Sequence, residues 1–384
     1  MTVLPLERTR DRAPDAPRPR VLLAPVTVTP SKPLTPSHLK GLLWTDVMFR
    51  ATGQLADVAY RYSHTTYHPT EQTLGFWEFL DRTCGDGDYA DLTEERIGDL
   101  YVAFRAAGER APAAALRPYA DAAEDGWVHP ASRRVLELWA GQYAGLGLHD
   151  PGLLAHQPPG LGLDETIGRL TAMGMCLDLR AVGGPVHLDL TRHGLPLRQI
   201  VNGQGRPNYL ACALRELLPL APDFDEVVLL YDRELDPDYQ QLSRVLSALG
   251  PAVRRVPVGR VPIDGVIRSA RHGGWRDHHA GSLLAAARPE YDDPVVRLGM
   301  RLYFIATLGP GQQQSFRAPL LRQCLKRAER MLASGPWTDP AELAERLGRH
   351  RRGHLHVDPY RLTSSLLGRK GPAPALDLLS AVFL

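Results

Sequence analysis

Lysine is nearly absent from this chain. Of its 45 basic residues only Lys32, Lys40, Lys326 and Lys370 are lysines, and the rest are arginines. No lysine lies between Lys40 and Lys326, so no lysine-dependent site can sit in that span. Cysteine is scarce too: Cys84, Cys176, Cys212 and Cys324 are scattered, with no C-x-x-C pair. That pattern gives no zinc-knuckle spacing and suits a reducing, cytoplasmic setting. No apolar run approaches the roughly 20 residues that cross a bilayer, so no membrane partner is expected. The first 20 residues hold five Arg and four Pro but no apolar stretch like a signal peptide's, and read as a disordered tail. The net charge of +2 on 384 residues supplies no field that would draw the chain onto DNA or a membrane.

What is present is ample material for a core, 44% of the residues being hydrophobic. Residues 21–28 (VLLAPVTV) form a β-branched apolar run, the signature of a buried strand. In residues 39–52, Leu39, Leu42, Leu43, Val47 and Met48 share a helical face. Residues 56–62 (ADVAYRY) read as a second strand. Residues 71–181 read as helix after helix: 92–109, opened by a capping signal from Asp91 to Glu94, then 131–144 and 165–177. Strand-like stretches return at 186–190 and 199–202, followed by a helix at 209–218 and a strong strand at 226–231 (EVVLLY). Asp236 and Pro237 then start a helix that Gly250 ends, and 252–258 is a last strand. Beyond residue 289 the chain is helical, with a helix start at Asp339. The expected fold class is α/β: a Rossmann-like parallel sheet with a helical insertion and a helical C-terminal lobe. The divisions are 1–20 (tail), 21–70 and 183–288 (two halves of the sheet domain), 71–182 (insertion) and 289–384 (lobe).

The chemistry concentrates at the turn after the first strand. A helix N-terminus following a buried strand favours anions through its free amides and dipole. Thr35 and His38 stand there, where a hydroxyl and an imidazole can donate to phosphate oxygens, and Lys32 and Lys40 flank them. Asp232, at the carboxyl end of the strongest strand, is placed to bind a substrate amine or a ribose hydroxyl. Gly203 and Gly205 follow a strand, but Asn208 stands where a dinucleotide fingerprint needs its third glycine. His278–His279 and His354/His356 have metal-type chemistry, yet no third ligand stands at readable spacing. They are therefore expected at the surface, and no metal site is read. The basic run 346–356 lacks interleaved aromatics and reads as a solvated helix end rather than an RNA contact.

The stretch Pro33, Thr35, Ser37, His38 resembles the P-x-(H/T)-x-G-H signature of class I aminoacyl-tRNA synthetases and their nucleotidyltransferase relatives, with Ser37 replacing the glycine. Asp46 and Arg50 are similar to the D-x-x-x-R that follows it. The cysteinyl, arginyl and methionyl types are the nearest in pattern. Three weaker similarities occur in order: residues 61–68 (RYSHTTYH) after the second strand, residues 205–209 (GRPNY) against G-R-P-G-W, and residues 264–273 (DGVIRSARHG) against D-G-x-K-M-S-K-S-x-G. In the last, Arg268 and Arg271 stand where the pattern has lysines.

The resemblance implies ATP, with Mg2+ as its counter-ion, activating an amino acid or other carboxylate as an acyl-adenylate. Thr35, His38, Arg268 and Arg271 would be catalytic. Lys32, Ser37, Lys40, Gly205, Asn208, Tyr209 and Ser269 would bind ATP. Tyr62, His64, His68 and Asp232 would bind the acyl substrate. A full synthetase of this class usually carries an anticodon-binding domain, and about 95 residues follow Pro289, so a small-molecule amine or hydroxyl, as in secondary metabolism, is favoured over tRNA as acceptor. The alternative is a synthetase-like protein that binds a nucleotide or amino acid without chemistry.

Overall fold

The computed structural model describes residues 17–85, 87–108, 110–267, 273, 275–311, 313–336, 340–368 and 374–384. Four strands, β1 (Arg20–Pro25), β2 (Asp57–Tyr60), β6 (Glu226–Asp232) and β7 (Ala252–Val258), form a parallel sheet in the order β2-β1-β6-β7. Side chains alternate across it as the pleat requires. Val21 and Leu23 of β1, with Val228 and Leu230 of β6, enter the core on one face. Leu22 and Ala24, with Val227, Leu229 and Tyr231, enter the core on the other. Buried on both faces, the strands read as continuous apolar runs.

Helix α1 (Pro36–Gly53) connects β1 to β2. It is buried nearly all round, because the sheet covers one side and the C-terminal lobe the other. Asp46, on this helix and 2% exposed, holds the lobe: its carboxylate takes the guanidinium of the fully buried Arg301 at 2.5 Å and Arg50 at 3.1 Å. The helical insertion consists of α2 (Glu71–Cys84), α3 (Glu94–Ala107), α4 (Ala113–Glu124), α5 (Pro130–Leu146) and α6 (Leu163–Ala172). The N-cap of α3 is Thr93, whose hydroxyl accepts from the Arg96 amide.

The strand-like stretches after the insertion do not join the parallel sheet. They form β4 (Val186–Leu188) and β5 (Arg198–Val201) of a separate antiparallel sheet whose third strand, β3 (Cys176–Asp178), lies where the helix expected over 165–177 has already ended. This small sheet packs with α7 (Tyr209–Leu217) and α8 (Asp236–Ser247) on the second face. Asp236 is the first residue of α8 rather than its cap; its carboxylate is taken by Tyr231, Gln240 and Arg255.

The lobe holds α9 (Ala280–Ala287), α10 (Asp293–Arg301), a π-helical turn at Leu302–Thr307, α11 (Ala318–Ser334), α12 (Pro340–Gly348), α13 (Pro359–Ser365) and α14 (Leu376–Phe383). The helix start at Asp339 lies outside the described residues. His356, expected at the surface, is buried: its Nδ1 and backbone amide both meet the Glu226 carboxylate at the start of β6. The end of the basic run is thus docked against the sheet. No helix among the described residues is long and apolar enough to cross a membrane.

Candidate functional site

From β1 the chain proceeds to β2 on one side; from β6 it proceeds to β7 on the other. The carboxyl ends of β1 and β6 therefore flank a switch point, where open parallel sheets form ligand crevices. A cavity of about 270 Å3 opens there. Its walls come from the β1–α1 loop, the first turn of α1, the end of β6 and the faces of α7 and α8.

The first turn of α1 is built by a reciprocal cap. The Thr35 hydroxyl accepts the His38 amide, and His38 Nδ1 accepts the Thr35 amide at 3.2 Å. With Nδ1 used as an acceptor, the imidazole proton sits on Nε2. Burial, with Lys32 and Arg260 nearby, pushes the His38 pKa down to about 3. His38 is thus a neutral donor on the cavity wall, at the positive end of a long helix. Ser37 also lines the cavity, and its hydroxyl accepts the Val261 amide at 3.0 Å, tying the turn to the chain after β7.

Lys32 lines the cavity and lies over the Tyr101 ring at 5.0 Å. Lys40 faces elsewhere: its ammonium, 1% exposed, donates to the Gly311 carbonyl at 2.8 Å, and burial first of all pushes its pKa down to about 8. Asp232 lines the opposite wall and accepts from Arg260 at 3.1 Å; burial still raises its pKa. Tyr209, the first residue of α7, stacks on Tyr67 with centroids 5.6 Å apart and forms an aromatic wall. The buried Thr27 and Thr29 of the β1–α1 loop line the same cavity.

The remaining candidates stand outside the cavity. Asn208 caps α7, accepting the Ala211 amide and donating to the Gln199 carbonyl. Gly205 makes the turn before it, at φ +78°. The Tyr62 phenol accepts the Val28 amide at 3.1 Å and so props the loop from behind. His64 and His68 are buried, their rings 5.2 Å apart, and burial lowers the pKa of each. His64 lines a separate cavity of about 80 Å3 with Arg133 and His156. Arg268, Ser269 and Arg271 lie outside the described residues. Cavity residues with no motif to announce them are Thr27, Thr29, Gln72, Asp238 and Tyr239, while Tyr67 falls in the 61–68 stretch without having been singled out. Only their positions beside strand ends and on a helix face could have pointed to them.

No family model matches the chain, and no curated protein does. Among solved structures, it is similar to the arginyl-tRNA synthetase of Thermus thermophilus, with a TM-score of 0.60 at 14% identity, over 96% of this chain and 75% of that one. The fold is aminoacyl-tRNA synthetase-like. The arginyl-tRNA synthetase of Plasmodium falciparum also matches, with a TM-score of 0.48 at 10% identity, over 82% of this chain and 57% of that one.

Proposed function

We propose that the crevice between β1 and β6 binds ATP and activates a carboxylate, an amino acid, as its acyl-adenylate. The observation that carries this reading is the capped first turn of α1, which presents a neutral imidazole donor and a helix N-terminus to a cavity at a parallel-sheet switch point. A substrate carboxylate oxygen attacks the α-phosphorus of ATP. The bond to the bridging oxygen breaks, and pyrophosphate leaves with its electron pair. Mg2+ arrives as the counter-ion of ATP, which supplies charge neutralisation at the phosphates. His38 donates from Nε2 to an α-phosphate oxygen as charge grows there, and Lys32 steadies the phosphates from the same wall. The Tyr67–Tyr209 wall takes the flat or apolar portions of the ligands, and Asp232 takes a hydroxyl or an amine. A small-molecule amine or hydroxyl, as in secondary metabolism, then accepts the acyl group, in preference to tRNA. Arg268 and Arg271 are proposed to hold the leaving pyrophosphate.

A second reading, nucleotide or amino-acid binding without chemistry, draws on Lys40, whose ammonium is occupied by Gly311 away from the cavity. Pyrophosphate exchange into ATP separates the two. The assay is run across the protein amino acids and a set of non-protein ones. Exchange with one acid, lost in His38→Ala, is expected. ATP binding with no exchange for any acid, with or without amine acceptors, would establish the second reading instead.

A further inference from the structure

Behind the Pro33–Leu34 turn, where α3, α5 and α9 meet, lies a polar cluster that the crevice does not use. Glu94 and Glu95 open α3, Gln142 lies on α5 and His279 immediately precedes α9. Glu94, Gln142 and His279 are 5%, 8% and 3% exposed, so the surface position expected for His279 does not hold. Donor atoms of Glu94, Glu95 and His279 all lie within 4.8 Å of one another, the one such group of three metal-ligating residues among those described.

The two imidazole nitrogens have different surroundings. Nε2 faces Glu95 Oε1 at 2.7 Å, and Nδ1 faces Glu94 Oε1 at 2.8 Å. Both are ion-pair contacts, and of the two nitrogens Nδ1 is the one buried without a hydrogen-bond partner. Nδ1, Glu94 Oε2 and Gln142 Oε1 are all buried without a hydrogen-bond partner. The Gln142 amide donates from Nε2 to Glu94 Oε1 at 2.7 Å, so of the Glu94 and His279 atoms Nδ1 and Glu94 Oε2 are the two acceptors left out of water without a donor, a costly arrangement that a cation relieves. A carboxylate holding the Nε2 proton leaves the Nδ1 lone pair for a metal, the usual backing of a histidine ligand. Metal–ligand distances of about 2.0–2.2 Å put neighbouring ligand atoms about 3 Å apart, close to the Nδ1–Oε1 separation. Gly281 makes the convergence possible. A Cβ there would stand 2.6 Å from Glu94 Oε1, 3.2 Å from His279 Cε1 and 3.3 Å from Gln142 Nε2.

We propose that Glu94 and His279, with Glu95 behind the imidazole and the Gln142 amide steadying the Glu94 carboxylate, bind one divalent transition-metal ion. One imidazole nitrogen beside carboxylate oxygens suits Zn2+ or Mn2+ better than the all-oxygen shells of Ca2+ and Mg2+. The ion fastens the helical insertion to α9. It also braces the phosphate turn, because the Ala280 amide beside His279 donates to the Leu34 carbonyl at 2.9 Å.

The test uses the full chain, stripped with EDTA and titrated calorimetrically with ZnCl2 or MnCl2, with a thermal melt at each stage. One equivalent of metal should bind and raise the melting temperature. Loss of the carboxylate behind the imidazole in Glu95→Gln should weaken binding by about 10-fold or more. Glu94→Gln and Gly281→Ala should weaken it further. Gly281→Ala is the safeguard, because alanine favours helix α9 and the variant folds while its methyl displaces Glu94. The competing arrangement is an imidazolium held between two carboxylates, a state that Glu94 and Glu95 favour against the effect of burial. It gives no stoichiometric uptake and a melt indifferent to metal and EDTA, and that result overturns the proposal. Uptake that Glu94→Gln and Gly281→Ala leave unchanged overturns it equally, by placing the metal elsewhere.

Discussion

His38 differs from most histidines near phosphate in being fixed as a neutral donor. With its pKa at about 3, it changes charge nowhere in the working range, so the rate should show no histidine limb between pH 5 and 8. His38→Ala should lower pyrophosphate exchange about 100-fold, since a preorganised donor is lost from the transition state. The same change removes half a capping box and should cost only about 1 kcal/mol of stability. Measuring exchange and urea unfolding on one preparation separates the two effects, and a rate loss explained by unfolding would remove His38 from the chemistry. Asp46 should show the opposite behaviour. Asp46→Ala leaves the Arg301 guanidinium buried and unpaired and should destabilise the fold by about 3–5 kcal/mol. A urea midpoint close to that of the unsubstituted protein would contradict this role.

The β1–α1–β2 element was the most legible part of the sequence, because each of its signals is local. β1 and β6 are apolar on both faces and residues 39–52 carry an apolar helical face, although α1 starts at Pro36 behind the Thr35 cap, ahead of the expected start at Leu39. What was hidden depends on distant partners. Strands of three or four residues carry too little pattern to assign β3, β4 and β5 to a sheet of their own. Nothing near Lys40 shows that Gly311 will take its ammonium, and nothing near His279 shows that two glutamates from α3 will meet it. Tyr62 is a similar case: it follows β2, yet it serves the loop after β1. Tyr62→Phe strips the Val28 amide of its acceptor and should cost about 1–3 kcal/mol. It should also weaken ATP binding through the loosened loop, and unchanged binding in calorimetry would show that the loop holds without the phenol.

At the scale of the whole molecule, the lobe is coupled to the sheet through Glu226. Burial alone would raise its pKa, but His356 and the amides of Leu355 and His356 outweigh burial and hold it down to about 2, against an ordinary 4.5. A carboxylate depressed in the folded state contributes stability that is fully present above pH 4.5 and is lost as pH falls toward 2. The loss should be on the order of 3 kcal/mol. Glu226→Gln should flatten that part of the stability–pH curve, and a variant curve parallel to the original would contradict the assignment.

The sheet and the capped helix converge on the cavity between β1 and β6, and the proposed function stands on ATP binding there. Calorimetric titration of Mg2+–ATP into the full chain tests it most directly, with His38→Ala and Lys32→Ala alongside. One site per chain is expected, weakened about 10-fold or more in each variant, as loss of a strong phosphate contact should do. No binding, or binding that neither substitution alters, would contradict it.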